Sequence, residues 1–158
     1  VRKLAAAVAA VLLAACQSSD PDARADARAY ARLASNDART EMVASDPALP
    51  AQLDAAAGWA AFGSTGDSLF GRRTGDGLGL AHDNRTRKDL PMRIFVPGAD
   101  RSLGLRSFRA LIVFSEPAAF AQFVRGGDVP AAGQGVDVRW NEDGVAVPPP
   151  SGVTCRPE

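Results

Sequence analysis

Among its 158 residues the chain has two cysteines, one histidine, one tyrosine and almost no lysine. Cys16 and Cys155 stand far apart, with no CxxC and no Cys/His spacing, so neither a zinc site nor any other metal is expected. His82 has Asp83 beside it, but no second histidine and no Gly-x-Ser-x-Gly elbow accompany it. A surface histidine near a turn is the expectation, no catalytic residue is assigned, and the protein reads as non-enzymatic. Gly75-Asp76-Gly77-Leu78-Gly79 lacks the third glycine and the following helix of a dinucleotide loop. Alternating glycines instead leave one strand face bare, for another backbone or a lipid chain to approach. Sixteen of the 18 basic residues are Arg in a chain rich in Ala, a compositional bias that lowers the weight of any single arginine. Net charge is zero and a nucleic-acid partner is not expected.

Long apolar runs are also scarce; the first sixteen residues hold the one there is. Arg2 and Lys3 precede an uncharged stretch from Leu4 to Cys16, the layout of an export signal. At about 1.5 Å per residue it falls short of a hydrocarbon core of about 30 Å, which argues against a transmembrane helix. Its end, Leu13-Ala14-Ala15-Cys16, resembles the lipobox of bacterial lipoproteins. The resemblance implies a signal peptide over 1–15 and a covalent diacylglyceryl and acyl (palmitate-type) lipid on Cys16, with no other cofactor. It also implies a membrane partner through that anchor. Gln17, by the sorting habit of many such proteins, favours the outer membrane, with the protein facing the periplasm. With Cys16 acylated, Cys155 is left as a tail thiol, free or bridging to another molecule.

Residues 16–23 read as the acylated cysteine and a tether, and 24–147 as one domain. Residues 24–45 are Ala-rich, lack Gly and Pro, and repeat small apolar residues at three- and four-residue steps, so a helix is expected, ended by Asp46-Pro47. A second helix is expected over 51–57. Short apolar pieces separated by glycine predict strands at 59–62, 68–72, 77–82, 92–96 and 108–114. Ser115 is the expected cap of a helix over 118–125 that Gly126-Gly127 stops, and strands at 136–140 and 145–147 follow. Pro148-Pro149-Pro150 is read as the end of regular structure, leaving 148–158 a flexible Pro-rich tail.

The order of these pieces resembles the SYLF domain, a lipid-binding module of bacterial lipoproteins and of eukaryotic regulators of membranes and actin. The resemblance rests on Ala55-Ala-Ala-Gly-Trp-Ala-Ala-Phe62, Gly75-Asp-Gly-Leu-Gly-Leu80 and Thr86-Arg-Lys-Asp-Leu-Pro-Met92. It continues in Leu103-Gly-Leu-Arg-Ser-Phe-Arg-Ala-Leu-Ile-Val-Phe114 and Ala119-Phe-Ala-Gln-Phe-Val124. Gly63 stands where the family usually has proline, and the C-terminal part is shorter. The fold implied is α+β, short helices packed on a mostly antiparallel, Gly-rich β-sheet or sandwich. The function implied is non-enzymatic binding of lipid or phospholipid at the membrane surface.

Charge is unevenly spread. Residues 72–109 hold nine basic groups against four Asp, a balance of +5, between flanks of −3 each at 17–56 and 110–158. The densest cluster, Arg85, Arg87 and Lys88, is the candidate contact with anionic phospholipid. A solvated turn is the plainer reading of those three residues, and pairing with the acidic flanks is an equal alternative for the basic middle as a whole. A protein–protein or peptidoglycan interaction module, with no lipid binding beyond its anchor, is the alternative function.

Overall fold

The computed structural model describes residues 21–64, 75–97, 107–129 and 131–158. The signal segment with Cys16, the strand expected at 68–72 and residues 103–106 of the resemblance lie outside them.

Three helices pack on a seven-stranded antiparallel sheet, so the architecture is α+β. The helices are α1 (Pro21–Ser45), α2 (Leu49–Ala55) and α3 (Pro117–Gly126). The strands are β1 (Gly58–Ser64), β2 (Asp76–Asp83), β3 (Lys88–Phe95), β4 (Phe108–Phe114), β5 (Val136–Glu142), β6 (Val145–Ala146) and β7 (Thr154–Pro157), in the order β6-β5-β4-β1-β2-β3-β7. Pro21 is already helical, so the tether expected to reach residue 23 is shorter.

The alternation of strand side chains sends two sets of residues to opposite faces. One face gathers Phe62, Met92, Ile94, Ala110, Ile112, Phe114 and Trp140, and α3 covers it with Phe120 and Phe123. The other carries Trp59, Ala61, Leu111 and Val113, onto which α1 lays Ala38 and Met42 and α2 lays Leu49 and Leu53. Small residues along the buried stripe of α1 (Ala31, Ser35, Ala38) let the helix axis sit close to the sheet. Ser35 is fully buried and its hydroxyl finds no hydrogen-bond partner. Ser35→Ala is therefore expected to stabilise the fold by about 1 kcal/mol, read as a rise in Tm.

The reading of 148–158 as a loose tail is corrected. Residues Thr154–Pro157 form β7, paired antiparallel with β3, and Val153 and Cys155 enter the core. The three prolines end β6 without ending the domain: they open a connection, with a turn at Ser151-Gly152, that runs from one edge of the sheet to the other. A flat sheet would separate β6 from β7 by six strand spacings, about 29 Å. The eight residue steps from Ala146 to Thr154 reach about 29 Å only at full extension. A curled sheet relieves that tension, which is why residues of β3, β7 and β5 share one core cluster. Burial pushes the Cys155 thiol up to about 12, so it is an unreactive core group rather than a surface thiol.

The end of α3 is locked to β7. Gly127 takes φ 73°, and a Cβ there would overlap the Cys155 carbonyl oxygen, so only glycine fits both the turn and the close approach. Ser115 is not the cap expected for α3. Glu116 occupies that position, and the Ser115 hydroxyl donates instead to the Gly135 carbonyl.

Candidate functional site

Helix α1 runs antiparallel to β1. Ala34 lies against Gly63 near the strand's end, and Arg39 lies over Trp59 near its start. The C-terminal half of α1 therefore meets the β2–β3 turn, where the basic cluster sits. That turn spans 84–87, closed by Arg87 N–H donating to the Asp83 carbonyl at 2.8 Å. Asp83 organises it: one carboxylate oxygen accepts from the backbone N–H of Arg85 (2.8 Å) and of Thr86 (3.0 Å). Arg87 takes a left-handed φ of 59° to complete the reversal.

The expected neighbour of His82, Asp83, is thus committed to the turn. The partner of His82 is Asp89, directly across the β2–β3 ladder, with Nδ1 and Oδ1 2.6 Å apart. The imidazole also stacks on Trp59, with ring centroids 5.1 Å apart, and Arg39 lies 5.3 Å from the centroid of the same indole. Asn84 braces the corner by donating both amide hydrogens, to the carbonyls of Leu53 (2.7 Å) and Ala56 (2.8 Å).

These groups line a pocket of about 450 Å³ between α1, α2 and the turn. Val43, Pro50, Leu53, Trp59 and Leu80 supply apolar wall; Arg39, His82, Arg87, Asp54 and Asp89 supply the charged and titratable groups. Its residues come from α1, α2, β1, β2, β3 and the β2–β3 turn; Arg87 belongs to the basic cluster and Trp59, Leu80 and Asp89 fall within the resemblance, but no local pattern brings them together.

The basic middle of the chain divides in two. Arg93 meets Glu158 at 2.6 Å, and Arg109 lies 3.9 Å from Glu41, so these two pair with the acidic flanks. Arg85, Arg87 and Lys88 are all exposed and make no side-chain ion pair among the described residues. Arg139, outside that middle, clamps the α1–α2 connection to β5 by donating to Asp46, Gln52 and Asp137. Among the described residues no three His, Cys, Asp or Glu side chains gather as for a metal ion, and no helix is long and apolar enough to cross a membrane.

Two carboxylates sit below the usual range. The Arg139 hydrogen bond, then that from the Ala48 amide, lowers Asp46; the Thr86 amide leads in lowering Asp83. A depressed folded value means stability that is complete above the unfolded value, 3.8, and lost as pH falls through the folded one. Tm is therefore expected to hold on either side of neutrality and to fall below pH 3.8, with Asp46→Asn/Asp83→Asn flattening that decline in a pH series of thermal melts.

Compared with known protein families and with characterised proteins, the chain matches none.

Proposed function

We propose that this is a lipid-anchored envelope protein whose SYLF-like domain binds phospholipid at the membrane surface and performs no catalysis. The observation that carries the reading is the exposed basic turn: Arg85, Arg87 and Lys88 make no side-chain ion pair among the described residues, and Arg87 lines a partly apolar pocket. Exposed cations of this kind attract an anionic surface.

Geometry adds a condition. Cys16 precedes Pro21 by five residues, at most about 18 Å of extended chain. From Pro21 to Arg39 helix α1 covers about 27 Å. Standing upright, it would hold the basic turn well beyond a Debye length of about 8 Å from the anchoring bilayer. Anchor and turn reach one membrane when α1 lies along it. Tyr30 and Leu33, the large apolar side chains that α1 leaves exposed, suit that posture.

An upright α1 would instead favour the second reading, a module presented to a protein or to peptidoglycan. Co-sedimentation of residues 17–158, lacking the anchor cysteine, with neutral and anionic vesicles at two salt concentrations separates the two. Salt-sensitive binding to anionic vesicles is expected. No binding to any vesicle would leave the acyl chain as the sole membrane contact and overturn the lipid-binding reading.

A further inference from the structure

From the pocket between α1, α2 and the β2–β3 turn, we infer a binding site for a phosphate ester, held by Arg39 and Arg87 against the Trp59 wall. It deepens the lipid-binding reading by naming the group recognised, but it also stands if that group comes from a soluble molecule.

The donors converge from separate elements. Arg39 comes from α1 and Arg87 from the turn, and both line the same 450 Å³ pocket, beside His82 of β2. Neither guanidinium has a carboxylate partner among the described residues; Arg39 is held by the indole face of Trp59 alone. That differs from Arg93, Arg109 and Arg139, each of which faces an acid. A guanidinium stacked on an aromatic face keeps its N–H edge available for an oxyanion. Asp89 is turned to His82 at 2.6 Å. Asp54 and Asp89 both lie on the lining, so the site favours a single anionic group over a polyanion.

Two guanidinium forks from separate elements match a tetrahedral oxyanion better than a planar carboxylate, which one guanidinium satisfies. Leu53, Val43 and Trp59 offer apolar contact for the carbon skeleton of an ester. The scaffold is braced independently of any ligand: Asn84 ties the turn to α2, and Asp83 fixes the turn backbone. Such a site is preformed, which limits the ordering cost of binding.

Trp59 is the natural reporter, since Trp140 is buried on the other face of the sheet against Phe108. Glycerol 3-phosphate, with inorganic phosphate in parallel, would be titrated into residues 17–158, which hold every element described, following tryptophan emission. A saturable, salt-sensitive change is expected. Arg39→Gln and Arg87→Gln should each weaken it at least tenfold, and Arg125→Gln, on the remote α3, should leave it unchanged. Circular dichroism melts confirm that each variant folds.

Vesicles containing phosphatidic acid then distinguish the sources. Competition with glycerol 3-phosphate assigns the site to a lipid headgroup. Binding of the soluble ester without vesicle binding assigns it to a soluble ligand, and the membrane reading fails alone. Vesicle binding that persists unchanged in Arg39→Gln, with no response to either soluble phosphate, overturns the pocket and leaves the membrane reading intact. No response to any of these probes overturns both.

Discussion

Changing Arg85, Arg87 and Lys88 together to Glu is expected to abolish binding of residues 17–158 to anionic vesicles without unfolding the domain. Each basic group near an anionic surface contributes on the order of 1 kcal/mol, so removing three attractions and adding three repulsions costs several kcal/mol. That corresponds to an affinity loss of at least about 100-fold. The fold should persist because all three side chains are exposed and the turn is held by its backbone and by Asp83. Arg87 has a left-handed φ of 59°, and Glu there carries a strain similar to that of Arg. Co-sedimentation read beside a thermal melt checks both halves. Undiminished binding with an unchanged melt would remove the turn from the membrane interface.

The second large effect concerns the glycines of β2, and it is a loss of fold. Gly77 and Gly79 alternate along the strand, and the bare face they create is filled from within the chain. A Cβ at Gly77 would lie 2.5 Å from the Gly63 carbonyl oxygen and 2.9 Å from the Phe108 ring. At Gly79 it would overlap the Ala61 carbonyl oxygen and press on Phe62 at 2.7 Å. The obstacle at Gly79 is backbone of a central strand paired on both sides, so it cannot swing away as a flexible side chain would. Gly79→Ala is expected to lose about 3 kcal/mol, the upper end for overpacking by one methyl. In a domain of this size that lowers Tm by roughly 6–12 °C. Gly126→Ala is the control: a Cβ there meets nothing within 4 Å, and it sits in the last turn of α3, so Tm should hold or rise slightly. Equal stability of the two variants would mean that Gly79 is not packed as described.

Those glycines show what could be read from residues alone. Period and residue type left the bare strand face open to another backbone or to a lipid chain; that it is a backbone, and which one, they did not tell. Ala61, Gly63, Phe62 and Phe108 arrive through β1 and β4, and register between distant strands leaves no mark in a local window. Strand β4 was legible to the residue because Phe108–Phe114 is β-branched, aromatic and apolar apart from Arg109, and it is buried on both faces. Helix α3 was equally plain from Pro117 and Gly126-Gly127, although its cap was not Ser115.

The C-terminal strand was missed for a definite reason. Thr154–Pro157 is short, contains a proline and follows three more, all of which argue against a strand considered alone. Pairing with β3 overrides them: Pro157 stands at the end of an edge strand, and Cys155 supplies a fully buried side chain opposite Ile94. A cysteine three residues from the end, within Val153-Thr154-Cys155, was the available hint.

The pocket was the least legible feature. His82 drew attention as the sole histidine, but the adjacent Asp83 was an attractive false partner. In a strand, neighbours along the chain point to opposite faces, so the partner had to come from across the ladder. Asp89 occupies that place. Arg39 carried no signal at all in a chain where arginine is abundant.

We place the α1/α2 side of the sheet, with its basic turn, against the bilayer. Single cysteines at Thr86, on the turn, and at Ala121, on the exposed side of α3, can carry a fluorophore in residues 17–158. The native Cys155 thiol, buried and held near 12, stays unlabelled. With vesicles bearing a headgroup-linked nitroxide, strong quenching is expected at position 86 and little at 121. Strong quenching at 121 with none at 86 would place the opposite face on the membrane and contradict this placement.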